Sequence, residues 1–175
     1  FQMDHICNHS DNQGRYAYQR QPQIMHWNMA CLAGAMLPLI EQRYDGENAQ
    51  THLQVALEKF PEIYRTAWLV QFRAKLGLMI EDAGDMSLIE SLLKLMHDNR
   101  VDFTNTFRAL SHYDISGHGK YDSLRDQFLN RDAFDSWMQS YRDRLSQEPY
   151  SEIERQTKML GVNPKFILRN YLCEF

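Results

Sequence analysis

This chain of 175 residues is short of paired cysteines, of positive charge, of long apolar runs and of strand-like alternation. Each shortage excludes something. Cys7, Cys31 and Cys173 are an odd, widely spaced set, which rules out a disulfide framework and fits a reducing compartment. The formal net charge is −4, so the basic footprint that nucleic-acid binding needs is missing. Arginines near 15–20 and 142–144 make local patches only. A membrane span needs about 20 apolar residues. The longest run here, Met29 to Leu37, is interrupted by Gly34 and closed by Pro38, so no membrane partner is expected. No secretory or transit segment, internal repeat or low-complexity tract is visible. An initiator methionine is also absent. The chain opens on Phe1, which leads us to expect further polypeptide upstream.

What is present is ordinary globular material: 43% hydrophobic and 24% charged residues. That length suffices for a real core, with roughly 70% of the unfolded surface buried. Apolar residues recur at steps of three and four in every long segment, which predicts an all-α fold. Pro22 suits a first helical turn. After it Ile24, Trp27, Asn28, Cys31, Leu32, Ala35, Met36 and Leu39 describe one buried face. Asp45-Gly46 marks a turn. A helical pattern from Leu53 to Leu76 is kinked or restarted by Pro61 and stopped by Gly77. Asp85 reads as the N-cap of a helix holding Leu88, Leu92, Leu95 and Met96. Asp102 caps a short helix with Phe103, Phe107 and Leu110. Phe134, Trp137, Met138, Tyr141 and Leu145 define another, with Asp132 near its start. Ser151 to Glu154 fits a capping box. Gly161 ends that helix and Pro164 opens a last one. Between His112 and Lys120, the run Ser116 to Gly119 reads as a flexible loop. Trp27, Leu32, Trp68, Phe72, Phe107, Trp137 and Leu168 are the expected core, and the tryptophans and nine methionines need no ligand to explain them.

Residues 1–21 stand apart from the helical domain over 22–175. They are polar, contain Gly14 and show no sustained period. His5, Cys7, His9 and Asp11 alternate, and alternate residues of an extended chain share a face. Four such side chains could meet a transition metal. A second half-site with suitable spacing is missing, and a hydrogen-bonded loop accounts for the same residues, so no metal is assigned. Cys7 with His5 or His9 is a poor nucleophile and base pair, because such partners generally come from separate elements.

The segment CNHSDNQGRYAYQRQP, Cys7 to Pro22, followed by Trp27-Asn28 and Leu32-Ala33, resembles the family of selenoprotein O, called YdiU in bacteria. A second block, Asn163-Pro164-Lys165-Phe166-Ile167-Leu168-Arg169-Asn170-Tyr171-Leu172, resembles that family's block ending in LRN and an aromatic. The resemblance covers nearly the whole chain.

That resemblance implies a kinase-like fold and the transfer of AMP from ATP to Ser, Thr or Tyr hydroxyls of protein substrates. It implies that this chain is the helical C-terminal lobe and extension, without the upper lobe and catalytic motifs. ATP and Mg2+ would belong to the full-length protein, and none is expected here. The family's DYG-like and DN motifs lie upstream. The pairs Asp11-Asn12 and Asp98-Asn99 sit in other contexts, so no catalytic residue is carried over. Residues 1–21 would correspond to an activation segment. There Asn8, His9, Ser10, Asp11 and Arg15 are either substrate contacts or simply loop structure tied to the helix at Pro22. Charge-assisted hydrogen bonds from Asp11 and Arg15 would hold it. Cys7 is a redox candidate by resemblance, although Cys173 does not match the family's C-terminal partner position. A bacterial member would be cytoplasmic and an animal one mitochondrial. The alternative is a non-catalytic helical interaction module.

Overall fold

The computed structural model describes residues 1–115 and 122–168. They hold eight α-helices and no strand. A 3-10 turn, Tyr18–Arg20, precedes α1, Gln21–Glu41. Then come α2 (Gly46–Glu58), α3 (Phe60–Leu76), α4 (Asp85–Asp98) and α5 (Phe103–Leu110). The series closes with α6 (Asp122–Arg125), α7 (Arg131–Leu145) and α8 (Glu152–Val162). Two compact units result: 3–68, and 1–2 together with 69–175.

Most helix ends have a local cause. Asp45 caps α2 through the Asn48 N–H, and Asp102 caps α5 through the Asn105 N–H. Asn130 caps α7, and Ser151 with Glu154 forms the expected capping box on α8. Pro61 lies in the first turn of α3, where the helical pattern restarts. Gly77 ends α3 at φ 71°, with its own N–H bonded to Ala74 and that of Leu78 to Arg73. This is the paired C-terminal bonding that glycine permits. One cap is reassigned. Gly84 holds the N-cap position of α4, and Asp85 is its first, fully buried residue.

The larger unit has a dense core. Phe128, Phe134, Trp137 and Tyr141 form a stacked series with centroid separations of 4.2, 6.3 and 5.0 Å. Its polar atoms are satisfied. Trp137 Nε1 donates to the Leu88 carbonyl at 2.9 Å, and the Tyr141 hydroxyl donates to Leu76 at 2.6 Å. Burial pushes the Tyr141 phenol far above its ordinary value.

The smaller unit is different. Only Gly14, Ala17 and Ala49 are buried in it. Helices α1 and α2 pack together. His26 Nε2 lies 3.2 Å from the Leu57 carbonyl, and its ring stacks on Phe60 at 5.1 Å.

Here the expected core needs correcting. Phe72, Phe107 and Trp137 are buried as expected, and Trp68 is half-buried. Trp27 and Leu32 are 52% and 58% exposed, and no residue of α1 is buried. The apolar period of α1 marks a face, but the residues described here do not cover it. Leu168 is also exposed. Residues 163–168 are not helical, so Pro164 does not open a helix within them. The reason is Asn163. It ends α8 in an extended conformation, as a residue before proline prefers. Its Nδ2 donates to the Lys75 carbonyl at 2.8 Å and to Ser111 Oγ at 3.0 Å. Gly161 lies within α8, which runs on to Val162. The Ser116 to Gly119 loop, Arg169, Asn170 and Cys173 lie outside the described residues.

Candidate functional site

The N-terminal polar segment is a chain of tight turns built around Asp11. The Asp11 N–H bonds to Asn8, the Gly14 N–H to Asp11 and the Ala17 N–H to Gly14. Gly14 takes φ 65°, a left-handed conformation that glycine adopts without cost. A Cβ there would also lie 3.3 Å from Ile6 Cδ1. The Asp11 carboxylate accepts the Arg15 N–H on Oδ1 and the Tyr16 N–H on Oδ2, both at 2.8 Å. The Tyr16 N–H above all holds the Asp11 carboxyl below its ordinary value; desolvation opposes it, and the N–H groups of Arg15 and Gln13 and the charge of Arg20 add to the lowering. Asp11 is therefore an ionised anchor for the following backbone.

The other candidates fall around it. Asn8 Oδ1 accepts from the Ser10 N–H at 3.0 Å and from Ser10 Oγ at 2.7 Å. Asn8, His9 and Ser10 are exposed, and so is Cys7, a free thiol. Arg15 departs from expectation. It was expected to brace the loop beside Asp11 by a charge-assisted bond. Its guanidinium lies instead over the Trp27 ring, 4.1 Å from the centroid, and its Nε is buried without a hydrogen-bond partner. Arg20 does part of the expected work, donating from Nη1 to the Gln13 carbonyl at 3.2 Å. His5, Cys7, His9 and Asp11 alternate in sequence, yet the described residues contain no group of three or more His, Cys, Asp or Glu that could hold a metal ion. Ser10 is engaged by Asn8, and the Asp11 carboxylate by backbone N–H groups.

A second polar cluster, in the larger unit, has no precursor in the sequence reading. The fully buried Asp85 accepts from Arg73 Nε and from Arg144 Nε, each at 2.7 Å. Arg144 also donates to Glu148 Oε1 at 2.7 Å and to the Ile80 carbonyl at 2.8 Å. Glu148 in turn accepts the Met79 N–H. Burial opposes ionisation of Asp85. The Arg144 bond, the Asp82 N–H and Arg73 outweigh it and hold the carboxyl below its ordinary value. The signal was invisible locally, because the two arginines are 12 and 59 residues from Asp85. No buried side-chain nitrogen or oxygen of the cluster is left without a hydrogen-bond partner, so it braces the fold.

Between α4 and α7 a groove of about 770 Å³ is lined by Ser87, Ser91, Lys94, Ser136, Trp137 and Ser140 among others. No described helix is long and apolar enough to cross a membrane.

The described fold is thus an all-α module whose polar clusters are anchored internally. The profile of the family described as protein adenylyltransferase SelO matches residues 1–175. Proteins called protein nucleotidyltransferase YdiU are also similar. That of Paraburkholderia xenovorans strain LB400 is 47% identical across 99% of this chain and 34% of its own length. That of Burkholderia ambifaria strain AMMD is 45% identical across 99% and 35%. The chain belongs to the SelO family, and it spans about a third of the length of these relatives.

Proposed function

We propose that the chain is the helical C-terminal portion of a protein adenylyltransferase with a kinase-like fold, completed by an upper lobe outside these residues. The observation that carries this reading is the family match along residues 1–175. The complete protein would bind ATP and Mg2+ and transfer AMP to a Ser, Thr or Tyr hydroxyl of a protein substrate. The substrate oxygen attacks the α-phosphorus, the bond to pyrophosphate breaks, and the hydroxyl proton passes to a carboxylate outside this chain. Mg2+ would offset the polyphosphate charge. The magnesium ligands would come from outside this chain, and Asp11 is taken up here by two backbone N–H groups.

This chain would supply the activation-segment equivalent. Asp11 fixes the turn that presents Asn8, His9 and Ser10, and Arg15 docks the turn on Trp27 of α1. Cys7 is the redox candidate on the same segment. By itself the chain would bind ATP weakly or not at all and transfer no AMP. A bacterial protein of this kind would work in the cytoplasm.

The test uses the full-length protein with ATP labelled on the α-phosphate and a mixture of candidate protein acceptors. Magnesium-dependent label on hydroxyl side chains, lost in the 175-residue chain alone, supports the reading. Failure of the full-length protein to label itself or any acceptor would favour the non-catalytic interaction module. Micromolar ATP binding by the 175-residue chain would overturn the assignment of nucleotide binding to the missing part.

A further inference from the structure

Helix α1 carries no Asp, Glu, Lys or Arg before Glu41, and from Met29 to Ile40 it is apolar on every side. A helix that is hydrophobic all round belongs in an interior. Yet none of its residues is buried. Met25, Met29, Leu32, Met36 and Leu39 recur at alternating steps of four and three and are between 38% and 65% exposed. That spacing is the seam by which one helix packs on another surface. The five side chains are long and unbranched at Cβ, and three are methionine, which adapts readily to an irregular partner. The unit that holds α1 buries only Gly14, Ala17 and Ala49, too little to sustain it as an independent core. No described helix is apolar enough to span a bilayer, so this seam is not explained as a crossing segment.

We infer that the Met25–Met29–Leu32–Met36–Leu39 seam of α1 is an intramolecular docking surface, covered in the complete protein by polypeptide outside these 175 residues. The occupant is argued from length: relatives 45–47% identical are about three times as long, so most of their polypeptide is free to cover it. The inference rests on the reading of the chain as one portion of a longer adenylyltransferase. It adds that α1 is the interior strut on which the two portions close. The Asp11 turn would then be positioned by the same docking event, because Arg15 is seated on Trp27 of that helix.

Methionine oxidation reads the coverage directly, because a thioether is oxidised in proportion to its exposure. The full-length protein and the 175-residue chain are exposed to dilute hydrogen peroxide, and sulfoxide at each methionine is followed by mass spectrometry. Met25, Met29 and Met36 should oxidise on the order of tenfold more slowly in the full-length protein, while half-exposed Met79 changes little. Equal rates in the two proteins overturn the inference. So does protection already present in the 175-residue chain, or protection that fades on dilution, which would mean a second copy is the cover. Leu32→Asp gives an independent check. It should lower the melting temperature of the full-length protein by several degrees and leave the 175-residue chain unchanged, and the reverse pattern overturns the inference. AMP transfer is measured on the same samples. A full-length protein that transfers AMP but leaves the seam exposed sinks this inference alone, whereas one with a covered seam and no transfer sinks only the proposed activity.

Discussion

Arg144 Nε donates to Asp85 Oδ1 at 2.7 Å across 59 residues of sequence, and the carboxylate it meets is wholly withdrawn from solvent. Arg73 binds the other oxygen at the same distance. This triad joins the end of α3, the start of α4 and the end of α7, and its energetics decide the first predictions.

Arg144→Ala should strongly destabilise the larger unit. It leaves Asp85 with one cation and strips Glu148 and the Ile80 carbonyl of a donor. Breaking a buried pair by removing one partner costs about 3–5 kcal/mol. Urea denaturation followed by Trp137 fluorescence should show a loss in that range. A loss below about 1 kcal/mol would mean that water enters and replaces the guanidinium.

The same triad gives an acid dependence. The Asp85 carboxyl is held below its ordinary value of 3.8 in the folded state. A carboxyl depressed by folding contributes stability that is fully present above its unfolded value and is lost as pH falls through the folded one. Stability should therefore drop as pH is lowered past 3.8. Asp85→Asn should be less stable at neutral pH and show a shallower acid decline. Denaturation curves at a series of pH values compare the two slopes, and identical slopes would exclude Asp85 as a contributor.

Gly77→Ala should cost about 1–3 kcal/mol by forcing a side chain into a left-handed backbone. The position has φ 71°, and an added Cβ would lie 2.7 Å from Met159 Sδ and 2.8 Å from Arg155 Cγ. Thermal melting should reveal the loss. Gly161→Ala is the control, since nothing lies within 4 Å of its added Cβ and the residue is already helical.

Asp11→Ala should loosen the N-terminal turn without unfolding the larger unit. It removes the acceptor of the Arg15 and Tyr16 amides. Hydrogen exchange of those two amides should accelerate, while exchange in α4 and α7 stays as it was. Unchanged protection at Arg15 and Tyr16 would show that other contacts hold the turn. In the full-length protein the same variant, and Arg15→Ala, should reduce AMP transfer if the turn serves the active cleft.

Much of the fold was legible locally. The helices with strong three-four periodicity, the restart at Pro61, the stop at Gly77 and the Ser151 capping box all follow from interactions within a few residues. The Asp11 turn was legible as a loop, because aspartate accepting nearby N–H groups is short-range chemistry. The Arg15 guanidinium meets an aromatic face rather than a charge, and sequence spacing does not announce a cation over a ring. The place of Asp85 inside α4, one residue past the N-cap, is hidden for a related reason. An aspartate at a helix start looks like a cap whether it meets its own amides or two distant guanidinium groups.

The order of elements, the helical class and the family were determined by the residues in line, since periodicity, caps and long motifs are properties of neighbours. Which apolar faces are covered was decided only in three dimensions. α4, α7 and α1 all carry apolar side chains at helical spacing, yet Leu92, Met96 and Tyr141 are fully buried while Leu32 and Leu39 stand open. Periodicity says that a helix has a side to bury. Burial needs a second surface at the right distance, and only the tertiary structure supplies or withholds it.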